Sequence, residues 1–368
     1  MQRSSRHAVS GLAKAAALAL TGAFLVAGCA ETPSEPTPAA PGLKQPKIAI
    51  ELPEEYNTPD GMVLDTKTGD ILLCVPNFSN DKHPAKIVRI DTSNKMTDVV
   101  TMPLHPDTKK AGPLGIDIGP DGHLYVADNQ AFGTEEHKSR LVRVVMKDGK
   151  AEKCEVLVTS FIMSNAVSCH GDSVYVTETK LDPEAKPLTS GVYRFKLSEL
   201  DAEKPIALEP GGKDKHLIAM IQTKNEEWAV GANGMGFDAD GNMFVCNFGD
   251  AQIIKITFDA GGKVASQEVL AEGSGMKSCD GMKVDQKTGD VYVADFLGNA
   301  VHKVDGKTGK VTTIAKNDNT DGTGGLLDRP SEVCLRAGKC YVANIDLDGM
   351  ADNTYDAPHT ISVIELDE

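Results

Sequence analysis

The chain has 368 residues, 25% of them charged and 5% aromatic, with one tryptophan and a formal net charge of −15. An acidic surface of this kind repels nucleic acid and anionic membrane and favours cations or neutral small molecules, so no nucleic-acid partner is expected. Eight cysteines, none in a CxxC spacing, exclude the usual zinc and thioredoxin-like signatures.

The first residues carry Arg3, Arg6 and Lys14 with no acid, followed by an apolar stretch from Ala15 to Ala27. That is the length of a signal-peptide core; a membrane span needs about 20 residues. The stretch ends Val26-Ala27-Gly28-Cys29, which resembles a bacterial lipoprotein cleavage site with Cys29 as the lipidated residue. Residues 1–28 are therefore expected to be a lipoprotein signal peptide and residues 29–46, rich in Pro, Thr, Ala and Glu, a lipidated tether. The mature chain would carry 35 − 53 = −18 charges and sit in the cell envelope or periplasm, touching membrane through Cys29 alone. A monomer is expected.

Residues 47–368 are dominated by internal repetition. Six segments align, beginning at Pro59, Pro113, Ser164, Ala232, Cys279 and Pro330, each with a short apolar strand, a tight turn and a second strand. The turns contain Thr68-Gly69, Asp121-Gly122, Gly171-Asp172, Asp240-Gly241, Thr288-Gly289 and Ala337-Gly338, where glycine supplies the positive φ of a tight hairpin. Equivalent positions Gly61, Gly115, Ala166, Gly234, Gly281 and Glu332 are 54, 51, 68, 47 and 51 residues apart, close to the roughly 40–50-residue period of four-stranded propeller blades. A third strand is expected at 86–90, 140–144, 192–195, 253–256, 301–304 and 361–364, and a fourth at 98–102, 154–158, 217–221, 268–271 and 311–314. The sixth unit lacks its fourth strand, and Lys47 to Leu52 has the pattern to supply it. The fold class read here is all-β, a six-bladed β-propeller whose N-terminal strand closes the last blade and removes an exposed edge.

Long loops at 77–85, 129–139, 180–190 and 346–359 mark one functional face, and the insert 198–215 lies on the other. Cys74 and Cys246 stand where other blades have alanine and read as buried thiols. Pairing Leu335 with Cys340 across the Ala337-Gly338 turn sets Cys334 opposite Tyr341, on the other face from Cys340.

The position before each innermost strand reads Asp60, Leu114, Asn165, Asn233, Asp280 and Ser331 around the ring. Four of the six are hard oxygen donors, and symmetry makes them converge near the axis. Two carboxylates and two amide oxygens suit Ca²⁺, or another divalent cation, and leave coordination positions for water and substrate. The same Asx-Gly pairs also serve as ordinary turn chemistry. Asp128, Glu178, Asn247 and Asp295 end second strands near this face and are candidates to bind substrate, as is Trp228 as an aromatic wall; strand-end hydrogen bonding is the competing reading for the first four. His83, His105, His137 and His359 fall in loops of the same face.

On these residues the chain resembles the senescence-marker-protein/gluconolactonase family and its paraoxonase and diisopropylfluorophosphatase relatives over 47–368. The resemblance places a first-blade acid at Asp60, asparagines at Asn165 and Asn233, and an aspartate at Asp280. The family's first acid is Glu in Glu-Gly-Pro, where this chain has Asp60-Gly61-Met62. It implies a metal-dependent hydrolase of a lactone or related ester, with the metal polarising a carbonyl and Asp280 as the catalytic base. The competing class is a non-catalytic NHL-type propeller that binds a ligand or protein and has no axial metal.

Overall fold

The structure, a computed structural model, describes residues 42–80, 82–134, 136–347, 350 and 353–367. The expected signal peptide, Cys29 and most of the tether lie outside the described residues. From Lys44 the chain is already engaged: its backbone N–H donates to Ile314 O at 2.7 Å and its ammonium pairs with Asp367 at 2.6 Å.

Six small sheets form the ring of a six-bladed propeller. The innermost strands are Met62–Leu64, Pro113–Ile118, Ser164–His170, Ala232–Phe237, Met282–Val284 and Pro330–Arg336. Burial follows the radius. Second strands such as Ile71–Val75, Leu124–Asp128, Met243–Asn247 and Val291–Asp295 are buried at every residue, because each is covered on both faces by neighbouring blades. Outer strands such as Met96–Thr101 and Val264–Glu272 are largely open to solvent. The core therefore lies between blades: Leu72, Cys74 and Ile87 of the first pack on Ile116, Val126 and Val142 of the second.

Ring closure is as the pattern foretold. Lys47–Leu52 pairs antiparallel with His359–Glu365, from Lys47↔Val363 to Leu52↔His359 with one irregularity at Ile48/Ile50, and Leu52 enters the cluster of Met62, Leu73, Tyr341 and Ile361. The glycines of all six hairpins have positive φ, between 59° and 80°. In the last hairpin Leu335 faces Cys340 and Cys334 faces Tyr341, and both thiols are free.

Two expectations change. The stretch 180–190 is mostly strand, with Ser173–Asp182 and Leu188–Lys196 staying paired past Glu178↔Gly191 to Asp182↔Thr189. The insert after the third blade's third strand contributes Ile206–Ala207, which pairs parallel with Val158 and Thr159 and gives the second blade a fifth strand. Two residues of pairing leave too short a signal to stand out in sequence.

Candidate functional site

Four of the six ring residues, Asp60, Leu114, Asn233 and Asp280, are brought together by the glycine that follows each of them, while Asn165 is followed by Ala166 and Ser331 by Glu332. A Cβ built on Gly61 would lie 2.2 Å from Leu114 O, and one on Gly234 would lie 2.4 Å from Asp280 O. Neighbouring innermost strands thus touch backbone to backbone, with Gly281 N donating to Ser331 O at 2.7 Å. The Asx-Gly pairs are a packing requirement of the axis here, and the side chain before each glycine is thrust inward.

Asp60, Asn165, Asn233 and Asp280 accordingly line one axial cavity of about 590 Å³ including its open mouth, together with Leu114. Burial raises the Asp60 carboxyl to about 7, and Glu332 adds to the rise, while Ser331 and Lys283 pull the other way. Asp280 is held well above the usual carboxylate range, by burial first and then by Asp60 and Glu332; Asn233, beside it, opposes this. Both carboxyls are raised by burial and by Glu332, and Asp280 also by Asp60, so a cation in this walled site would favour the charged form of each.

Glu332 was visible in the sequence only as the large residue at a position that is otherwise glycine or alanine. It adds a second polar layer in the axial channel: Lys283 Nζ donates to its Oε2 at 2.7 Å and Val333 N to its Oε1 at 2.9 Å. Asp117, beside Lys283, accepts from Cys169 N at 2.6 Å and Ile118 N at 2.8 Å, and burial lifts it to about 6. With every acid ionised, Asp60, Asp280, Glu332 and Asp117 against Lys283 give 1 − 4 = −3. That charge suits a divalent cation at the ring.

Above the ring the walls are apolar: Phe132, Met163, Val230, Phe248, Phe296, Ile345, Leu347 and Met350. Phe248 and Phe296 stand 6.1 Å apart at 49°. Phe248, Phe296 and Ile345 each follow the last residue of a second strand. The alternation of strand faces therefore puts them into the funnel and turns their predecessors away.

Two of those predecessors, Asn247 and Asp295, were put forward by the sequence for substrate, together with Asp128 and Glu178 of other second strands. Asp128, Asn247 and Asp295 are fully buried and Glu178 is 2% exposed; none lines the funnel. Each ties down the segment leading into its own blade. Asp128 accepts from Gly112 N at 2.7 Å and is ion-paired with Arg140. Glu178 takes the N–H groups of Ile162 and Met163 at 2.8 and 2.6 Å and opens on a separate, smaller recess with His137 and Lys180. Asp295 accepts from Lys277 N, Ser278 N and the Ser278 hydroxyl, all at 2.8 Å. Asn247 accepts from the Thr223 hydroxyl at 2.7 Å. For Asn247 and Asp295, off-by-one placement on a period-two strand is the physical reason the side chains miss the cavity, since their successors Phe248 and Phe296 line it.

Trp228 packs behind the wall against the Phe248, Phe296 and Ile345 cluster, outside the lining. The four histidines also lie off it. His105 Nδ1 accepts from Asp107 N at 3.1 Å, His137 Nδ1 is 3.2 Å from Ser160 O, and His359 Nε2 is 3.0 Å from Glu54 Oε2.

The family described as the SMP-30/gluconolactonase/LRE-like region matches residues 208–320, a stretch that holds Asn233 and Asp280 and bears out the resemblance over that part. No curated protein sequence matches the chain. Among solved structures, a calcium-binding protein, regucalcin, from Agrobacterium tumefaciens is similar at 14% identity and a TM-score of 0.57, covering 88% of this chain and 93% of that one. A gluconolactonase from Xanthomonas campestris gives 13%, 0.53, 90% and 99%. A PQQ-bound aldose sugar dehydrogenase from Streptomyces coelicolor gives 15%, 0.55, 89% and 98%. At such identities the likeness is one of fold, and these names show how different the chemistry on it can be.

Proposed function

We propose that this chain is a calcium-dependent hydrolase of a lactone or related ester whose body is apolar. The observation that carries the reading is the convergence of Asp60, Asn165, Asn233 and Asp280 at the floor of an otherwise apolar funnel. All four offer hard oxygens, and among the described residues neither carboxylate forms an ion pair, Lys283 being paired with Glu332, which fits calcium. The family match over 208–320 and the similar structures named as a gluconolactonase and as calcium-binding regucalcin support lactone hydrolysis and calcium, while the apolar body rests on the funnel walls alone.

Calcium bound there would polarise the substrate carbonyl and acidify a water. The chain's part is to hold and to exclude. Asn165 and Asn233 present amide oxygens, and Asn233 lies beside Asp280 and favours its charged form. Asp280 takes the proton from the attacking water. Phe248, Phe296, Ile345, Leu347 and Met350 keep bulk water from the ester and cover the substrate's apolar part. A polyhydroxylated sugar lactone finds few partners on such walls, and its unmatched hydroxyls would be costly to desolvate.

The test is a panel of lactones and esters of rising alkyl length, plus a sugar lactone, with and without chelator. Burying one methylene contributes about 0.8 kcal/mol, so kcat/KM should rise about fourfold per added carbon until the funnel is full. Chelator should abolish turnover. A preference for the sugar lactone would overturn the apolar substrate, and a chain that neither binds calcium nor hydrolyses the panel is a binding propeller. We further propose that Cys29 carries a lipid anchor to the bacterial envelope, on the strength of the Val26-Ala27-Gly28-Cys29 run. Cys29→Ala should release folded protein from the membrane fraction, and unchanged fractionation would refute the anchor.

A further inference from the structure

Beside the funnel, outside its lining, three aspartates meet. Asp328 lies in the segment leading into the sixth blade, and Asp346 and Asp356 lie in the loop between that blade's second and third strands. One carboxylate oxygen of each is within 4.8 Å of the others. Asp328 and Asp346 are each 2% exposed.

Acid clusters are common, and what distinguishes this one is its missing donors. Among the described residues, Asp328 Oδ1 and Asp356 Oδ1 are shielded from solvent and have no hydrogen-bond partner. His359, 4% exposed, points Nδ1 at Asp346 from 3.8 Å, too far for a hydrogen bond, and that nitrogen is also unpartnered. Its other nitrogen is taken by Glu54 and Tyr355, at 3.0 and 2.8 Å. By contrast Asp128, Glu178 and Asp295, the buried acids on the second strands of other blades, collect several N–H donors each. Asp346 does have two partners, Asn353 Nδ2 at 2.7 Å and Asp356 N at 3.1 Å, which orient it.

The groups around the cluster are of both signs: His359, which burial lowers but Asp346 and Glu54 raise more, eases Asp356. Asp321 faces the cluster as a further acid, and Arg329 is the cation that eases Asp328. The Arg329 side chain reaches toward Asn353 Oδ1 at 3.3 Å and Phe296 O at 3.4 Å. Burial, then Asp346 and Asp356, raise Asp328 to about 8.

We propose that Asp328, Asp346 and Asp356 form a second, off-axis site for a divalent, oxygen-preferring cation of calcium type. Carboxylate oxygens at this mutual spacing can share one ion at calcium's bond lengths of about 2.3–2.6 Å. The ion ties the lead-in of the sixth blade to its crossover loop. Ile345 and Leu347, on either side of Asp346, line the funnel, so occupancy of this site sets one wall of the axial cavity without taking part in chemistry there.

The test counts calcium, added as the metal alone to chelator-stripped protein, by equilibrium dialysis with elemental analysis. Wild type should bind two ions per chain. Asp60→Asn with Asp280→Asn should leave one, and adding Asp356→Asn to that pair should leave none. Asp328→Asn with Asp346→Asn should bind one ion and should melt in chelator no lower than wild type, since it removes repulsion, while losing the calcium-induced rise that this site supplies. One ion in wild type that survives loss of the axial pair leaves this site standing and removes the axial one. Unchanged stoichiometry in the Asp328/Asp346 variant, or no calcium left once the axial pair is removed, overturns the off-axis site. If the Asp328/Asp346 variant does not fold, the axial and triple variants decide alone.

Discussion

Replacing Gly234 by alanine adds a single methyl where two innermost strands touch. The new Cβ would lie 2.4 Å from Asp280 O and 2.8 Å from both Gly281 Cα and Met282 N. All three are backbone atoms, so no rotamer can relieve the contact, and the oxygen is about 0.6 Å inside the closest approach a Cβ tolerates. The fifth blade's innermost strand must move outward and take Asp280 away from Asn233. Overpacking of this kind costs about 1–3 kcal/mol. At roughly 2–4 °C per kcal/mol the melting temperature should fall by about 2–12 °C. Calcium at the axial ring should weaken about 10- to 100-fold, the scale on which groups that orient ligands act. Gly122→Ala is the control: φ there is +79° and nothing lies within 4 Å, so it should cost about 1–2 kcal/mol of backbone strain and leave calcium binding alone. Scanning calorimetry and calorimetric titration read both quantities. A Gly234→Ala protein that melts and binds like wild type would refute the claim that backbone contact on the axis positions the ring.

Asp280→Asn keeps an oxygen donor and removes the proposed base, so turnover at saturating calcium should drop by about 10²-fold or more; undiminished activity would leave Asp280 as a ligand alone. Leu52→Ala empties a buried position on the closing strand and should cost about 2–4 kcal/mol in chemical unfolding, whereas a loss near zero would mean that closure contributes little to stability. Asp214 is raised by burial but lowered more by the N–H groups of His216 and Glu209 and by the His216 ring. Its folded value lies below its unfolded one, so its contribution is present above the ordinary carboxylate range and is lost as pH falls through the folded value. Asp214→Asn should therefore cost about 1–3 kcal/mol at neutral pH and progressively less toward pH 3; a gap that widens on acidification would reverse the assignment.

The architecture was legible because a propeller repeats its evidence. Each hairpin glycine was a weak signal, and six at equivalent positions fixed strand order and the closing role of Lys47–Leu52. The four ring donors could be read for the same reason. The walls could not, because Phe248, Phe296 and Ile345 look like continuations of apolar strands, and whether such a side chain faces the axis or the neighbouring blade turns on a single residue of register. The off-axis aspartates were hidden differently: Asp328 lies 18 residues from Asp346 in a loop-to-loop contact, with no periodicity to connect them.

The acids and amides at the ends of the second strands act as latches, each fastening the approach to its own spoke. Latched spokes let the residue at the hub be exchanged without loosening the wheel, so ligand sets on the axis can drift while the scaffold stays put. The first spoke is the exception. Where the others carry Asp128, Glu178, Asn247, Asp295 or Asn344, it has Val75. The approach to Asp60 is secured instead by the neighbouring loop, through Ser79 to Asn57 at 2.7 Å and Phe78 N to Thr58 at 2.9 Å. Of the four hub donors, Asp60 is the one whose reach can be retuned by editing a surface loop, and efforts to change the metal or the substrate of this protein have their easiest handle at residues 77–80.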